Sequence, residues 1–310
     1  MRLGTVFYGG KVRVVSPLDD ETYLDLDRAA HFARYETDTF TNMLSVIHEG
    51  DYGIEQAENL LRRANKRAFV PAADVIFLPP LMPVQYRDCL VFEEHLFNCM
   101  KAFGQADPQL PPVWYDQPIY YKGNRMSFIG HETDVIWPTY AEHLDVELEL
   151  AIVIGKEGKN IKPEEAHDYI FGYTILNDVS ARDAQMREMP GQLGPAKGKD
   201  FDTGNILGPW ILTPDEVSHP AALDMELRVN GERWGGGNSS SMQHDFGAIL
   251  AHISASETLY PGEVIGSGTV GTGCGLETGT FLEDGDVVEL EVEKIGILKN
   301  TVRKPKAGGR

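Results

Sequence analysis

The sequence predicts an α+β fold, mostly β, with a small N-terminal domain at residues 1–76 and a larger strand-rich domain at residues 77–310. Three observations carry this. Runs of alternating or continuous apolar residues divided by turn residues fill the second part: LDVELELAIVIG, DYIFGYTILNDV, NILGPWILTP, LDMELRVNGERW, GEVIGSGTV and DVVELEVEKIGILKNTV. These runs do not alternate regularly with helices, which argues against a doubly wound sheet and for a mixed, mostly antiparallel sheet or roll. A proline-rich passage, FLPPLMPVQYRD at 77–88, marks the junction between the two parts.

In chain order, LGTVFYGG and KVRVVSP read as short strands, and residues 38–47 and 51–68 carry apolar side chains at the three- and four-residue spacing of helices. After the junction a helix is predicted over residues 90–103, then a loop rich in Pro, Gly and Tyr at 111–130. The strands follow, with one further helix over 245–257 leading into SETLYPGE. We find no internal repeat and no low-complexity tract.

The chain has 310 residues, 42% of them hydrophobic, which is enough to build a substantial core. Its formal charge of −19 comes with no Lys/Arg cluster, so it would repel phosphate backbones and anionic lipid. Nucleic acid and membrane are therefore not expected partners. No charged leader precedes an apolar stretch, and no run approaches the ~20 apolar residues of a membrane span, so a cytoplasmic location is expected. Cys89, Cys99 and Cys274 are widely spaced and form no CxxC, which suggests reduced, buried thiols.

In LDVELELAIVIG, Asp145, Glu147 and Glu149 alternate with Val146, Leu148 and Leu150. A strand sends successive side chains to opposite faces, so one face is apolar and the other carboxylate. An edge strand with its acidic face in water would show the same alternation. In GYTILNDVSARDAQ an apolar strand runs into Asn177 and Asp178, then into a turn with Ser180, Arg182 and Gln185. Asp178 there reads either as a helix cap or as a site residue at a strand end. Glu147, Glu149 and Asp178 brought together would repel, and an oxygen-only set selects a hard cation such as Mg, Mn or Ca.

The ordered set RDCLVFEEHLFN, LDVELELAIVIG, NDVSARDAQ, GKDFDTGNILGPW and GSGTVGTGCGLE resembles the fumarylacetoacetate hydrolase family over roughly residues 88–302. The resemblance implies that family's mixed β-roll or sandwich for the main domain. It also implies a metal held by Asp88, Glu147, Glu149 and Asp178. His95, seven residues after Asp88, matches the catalytic histidine. Lys199, Arg182 and Gln185 match groups that hold the substrate carboxylate and the developing enolate, and Tyr121, Thr203 and Thr269 match further substrate contacts. His95 is followed by Asn98 where smaller relatives have Glu, so the carboxylate that orients it is expected from Glu277 in GCGLETG, with Glu94 as the fallback. A substrate-binding arginine of the namesake enzyme is replaced by Gly104, with Lys101 nearby.

The resemblance implies a metal-dependent hydrolase that splits a C–C bond in a small diketo or acylpyruvate-type acid, as in aromatic-compound catabolism. A cation such as Mg would polarise the dicarbonyl, His95 would activate water, and Arg182 with Lys199 would anchor the acid. A 2-oxo acid decarboxylase or tautomerase of the same family is the alternative, and a non-catalytic metal-binding relative is another. A homodimer and a lid near His95 are implied too, with Tyr121 and the loop at 111–130 as determinants of substrate choice.

Other signals carry less. GSGTVG at 266–271 fits GxGxxG but no amphipathic helix follows, so it reads as a tight turn. GGGNSSS at 235–241 reads as a loop, and neither GxSxG nor HExxH occurs.

Overall fold

The computed structural model describes residues 1–35, 37–218 and 221–305. Among them a 12-stranded sheet and a five-stranded sheet dominate, and the fold is α+β with most of the core in strands. The large sheet runs from Phe69–Pro71 through Thr22–Asp25, Lys11–Pro17 and Arg2–Tyr8 to Asn205–Leu212. It continues through Ile170–Asp178, Leu148–Ile154, Val264–Gly266 and Tyr86–Cys89 to Tyr120–Lys122. The smaller sheet holds Glu232–Asn238, Asp224–Val229, Val287–Val292, Gly296–Arg303 and Val135–Ile136 in that order. Most of these pairings are antiparallel, as the lack of helical crossovers predicts; Val264–Gly266 against Tyr86–Cys89 is parallel.

Leu148–Ile154 and Ile170–Asp178 are buried along their whole length. Both faces of the sheet are covered there: Leu148, Leu150, Ile152 and Ile154 enter one apolar cluster, while Ala151 and Val153 enter another with Leu26, Phe40 and Met43. This explains near-continuous apolar sequence where a half-exposed strand would alternate. It also removes the water-facing edge strand as an account of Glu147 and Glu149, which are 5% and 0% exposed.

At the N-terminal end, Arg2–Tyr8 pairs with Asn205–Leu212, so one hydrogen-bonded sheet runs from residues 1–76 into the rest of the chain. Ile76–Phe77, at the expected boundary, pairs with Arg2–Tyr8. The two helical stretches predicted for 38–68 form Met43–Arg62, with non-helical backbone at Gly50 (φ 55°), a left-handed conformation that glycine tolerates. Asn42 caps that helix by accepting from the Ser45 amide at 3.0 Å. The helix predicted at 245–257 spans Phe246–Ser254, with Asp245 accepting from the Ala248 amide at 2.8 Å. Among the described residues no helix is long and apolar enough to cross a membrane.

Candidate active site and cation cradle

Three neighbouring strands bring the carboxylates together. Gly266 pairs with Ala151 on one side and with Asp88 on the other, which places Asp88 and Glu149 on either flank of a glycine. A β-carbon at Gly266 would lie 2.3 Å from Asp88 Oδ1 and 2.8 Å from Glu149 Oε2. The missing side chain is what leaves the two acids room to meet. The Gly268 amide then donates to both, at 3.3 Å to Asp88 and 3.2 Å to Glu149. The glycines of GSGTVG thus serve close approach of backbone to carboxylate. Asp178 arrives from the end of the adjacent strand, and ligand atoms of Asp88, Glu149 and Asp178 lie within 4.8 Å of one another.

Such crowding is costly without a counter-charge. Burial, and then the Asp178 charge, push Asp88 up to about 8, and burial together with Asp88 raises Glu149 well above the usual carboxylate range. Glu149 Oε1 and Asp178 Oδ1 are buried with no hydrogen-bond partner among the described residues. Orphaned oxygens in an all-oxygen set fit a hard divalent cation, which would supply the missing partner. Divalent-cation binding is therefore a property that this donor set supports on its own chemistry.

Glu147 faces the same cavity but its oxygens are engaged otherwise. Lys199 Nζ donates to Glu147 Oε2 at 2.5 Å and to Asp178 Oδ2 at 2.6 Å, while Arg182 Nη1 lies 2.8 Å from Glu147 Oε1. Burial opposes ionisation of Glu147, but Lys199 and then Arg182 outweigh it and hold its carboxyl down at about 2. Burial likewise opposes the Lys199 charge, yet Asp178 and Glu147 raise it above its ordinary value. The ammonium is thus a fixed positive charge beside the cradle.

His95 and Glu277 meet from opposite ends of the chain. His95 lies on the helix Glu93–Ala102, and its Nδ1 is 2.8 Å from Glu277 Oε1, 182 residues away. The other Glu277 oxygen accepts from Asn98 Nδ2 at 2.6 Å and from the Thr272 amide at 2.8 Å. Glu94 is exposed, so Glu277 is the carboxylate at the imidazole. Burial alone would lower His95; Cys274 and Glu277 outweigh it and raise the imidazole above its ordinary value. Burial holds Cys274 itself protonated, so Glu277 is the part of that pull that acts at neutral pH.

These groups line a cavity of about 550 Å³ that includes Asp88, His95, Tyr121, Glu147, Glu149, Arg182, Gln185, Lys199 and Thr269. Tyr121 donates to Asp178 Oδ2 at 2.8 Å, and Gln185 Oε1 accepts from Arg182 Nη1 at 2.9 Å. Thr203 stands apart: its hydroxyl accepts from the Ile136 amide at 2.8 Å, and it does not line the cavity. Gly104 ends the His95 helix in left-handed backbone (φ 83°), and Lys101 is exposed, so neither supplies the absent arginine. A second cavity of about 650 Å³, between Asp224 and Glu293, lies on the hairpin surface away from this chemistry.

Sequence reasoning passed over Asp145 as a site residue. It is fully buried and accepts from Arg182 Nε at 2.8 Å and from the amides of Gly275 and Leu276 at 2.7 and 2.9 Å. One carboxylate thereby ties the Arg182 guanidinium to the turn that carries Glu277. Its place in the acidic alternation was the signal. Cys99 was also passed over, although it stands four residues after His95 and so shares its helix face.

The sequence matches the family model described as fumarylacetoacetate (FAA) hydrolase C-terminal over residues 86–303. Human mitochondrial oxaloacetate tautomerase FAHD2A is 35% identical over 261 residues, covering 84% of this chain and 79% of that protein. Oxaloacetate tautomerase YisK of Bacillus subtilis is 31% identical over 294 residues, covering 92% of this chain and 94% of the relative. Among solved structures, fumarylacetoacetate hydrolase from psychrophilic Exiguobacterium antarcticum superposes with a TM-score of 0.77 at 27% identity, covering 98% of this chain and 100% of that one. The chain belongs to the fumarylacetoacetate hydrolase family.

Proposed function

We propose that this chain is a divalent-cation-dependent tautomerase that interconverts the enol and keto forms of a small 2-oxo dicarboxylic acid of the oxaloacetate class. The observation that carries the reading is one cavity holding a carboxylate cradle, a fixed ammonium and a carboxylate-held imidazole. The two relatives named as oxaloacetate tautomerases support it, each aligned over more than four-fifths of this chain. This displaces C–C hydrolysis, the expectation from sequence, as the leading reaction.

Bound at Asp88, Glu149 and Asp178, a cation such as Mg or Mn would stabilise negative charge on the enolate oxygen. Arg182 and Lys199 bind and orient the substrate's carboxylates, and their buried partners keep both side chains in place. Ketonisation needs one proton taken from the enol hydroxyl and one delivered to the neighbouring carbon. With Nδ1 committed to Glu277, His95 exchanges a proton through Nε2. No water is consumed, and no C–C bond is broken. Homodimeric assembly belongs to the same proposal.

A second reading, hydrolysis of an acylpyruvate, is favoured by the same His95–Glu277 pair, since a carboxylate-held imidazole can deprotonate water. One experiment separates them. Chelator-stripped protein is restored with Mg, Mn or Ca and mixed with enol oxaloacetate or with acylpyruvates, beside His95→Ala. Metal-restored acceleration of enol decay, lost in His95→Ala, is expected. Cleavage of acylpyruvates into two acids without enol acceleration would give the site to hydrolysis.

A further inference from the structure

His95, Cys99 and Cys274 form a second cluster of metal-ligating atoms, distinct in chemistry from the carboxylate cradle. Their ligand atoms lie within 4.8 Å of one another. Cys99 Sγ is 3.8 Å and Cys274 Sγ 3.9 Å from His95 Nδ1. Glu277 Oε1 stands beside the group, 2.8 Å from Nδ1 and 3.6 Å from Cys274 Sγ. A tetrahedral zinc, with metal–sulfur bonds of about 2.3 Å and metal–nitrogen bonds of about 2.0 Å, sets N and S about 3.6 Å apart. The nitrogen–sulfur separations are within a few tenths of an ångström of that value, but Cys99 Sγ is also 3.8 Å from Nε2 and so faces the ring, and a turn of the imidazole or of the Cys99 side chain closes the three donors on an ion.

We propose that these residues form a site for a thiophilic divalent cation of the zinc class, with His95 Nδ1, Cys99 Sγ and Cys274 Sγ as ligands. Thiolate and imidazole select zinc, cobalt or cadmium over magnesium, whereas the all-oxygen cradle prefers the hard ions. The two sites sort ions by softness. His95 and Cys99 both line the substrate cavity, so an ion reaches the cluster by the route a substrate takes. A bound ion takes Nδ1 away from its carboxylate partner. If His95 is the base of the proposed reaction, which this consequence assumes, zinc abolishes turnover while magnesium still fills the cradle.

The test uses the full chain, stripped by chelator, reloaded with excess Mg and titrated anaerobically with Co²⁺. A thiolate-to-cobalt charge-transfer band in the near ultraviolet, with visible bands of tetrahedral cobalt, is expected to saturate at one equivalent and to vanish on adding Zn²⁺. Cys274→Ala and Cys99→Ser each weaken cobalt binding by at least about tenfold, whereas Cys89→Ala, at a thiol outside the group, leaves the spectrum as it is. Wild-type protein with no thiolate band at stoichiometric cobalt overturns the site without reliance on any variant. Unchanged cobalt affinity in well-folded Cys274→Ala, judged by circular dichroism, overturns it too. The spectrum reads binding alone, so absence of tautomerase activity leaves this test intact.

Discussion

Glu277→Gln exchanges one oxygen for an amide, and the surrounding donors dictate which way round the amide sits. The Thr272 amide is a fixed donor at 2.8 Å from Glu277 Oε2, so that position must remain a carbonyl oxygen. The new NH₂ group then faces His95 Nδ1 across 2.8 Å, where a donor can only meet an unprotonated nitrogen. The ring proton moves to Nε2, and the lone pair that would take a proton from the substrate is gone. General-base catalysis is worth about 10²–10⁴ in rate, and a wrong-tautomer substitution in the serine protease triad costs about 10⁴. We therefore expect kcat to fall by about 10²–10⁴, roughly 3–5 kcal/mol of barrier, with KM within about threefold because the carboxylate-binding cations are untouched. The assay is the decay of enol absorbance in Mg-loaded protein, with nitrogen-15 NMR reading the His95 tautomer directly. A kcat within about threefold of wild type, with the tautomer shifted, refutes the role given to Nε2.

Asp145→Ala removes the partner of the buried Arg182 and the acceptor of the Gly275 and Leu276 amides. A loss of about 3–5 kcal/mol in urea unfolding is expected, as for other broken buried pairs. KM should rise more than kcat falls; a loss under about 1 kcal/mol contradicts the account. The chelated protein should lose stability as pH rises. Burial and Asp178 hold Asp88 up at about 8, so the folded state keeps a proton that the unfolded chain releases near its ordinary value of 3.8. Between those values folding binds protons, and its stability declines with increasing pH. Added Mg, which replaces those protons, should raise the thermal midpoint more at pH ~8 than at pH ~5. Midpoints that climb with pH in chelator would rule this out. Leu148→Ala opens a cavity in a strand covered on both faces, and about 2–5 kcal/mol should be lost in denaturant titration with m unchanged.

Much of the site could be read along the chain because its signals are local. Alternating Asp145, Glu147 and Glu149 mark a strand with a carboxylate row, and the five ordered motifs carry Asp88, His95, Asp178 and Lys199. Strand-rich composition without helical crossovers sufficed for the fold class. Resemblance to the family also pointed to Glu277 as the partner of His95, although no periodicity connects residues so far apart.

What the row of acids does was decided only in three dimensions. Alternation sets which face a side chain leaves from, but not what waits opposite, since that depends on register with strands distant in sequence. Hence Asp145 closes on Arg182, Glu147 on Lys199 and Arg182, and Glu149 on Asp88, three fates for three alike residues. Thr203 left the site for the Ile136 amide for the same reason, and Gly266 entered it by what it lacks. Residue type and spacing determine the chemistry a chain carries; register and close approach determine which of its groups share a cavity, because a few ångströms of placement separate a solvated acid from a cation ligand.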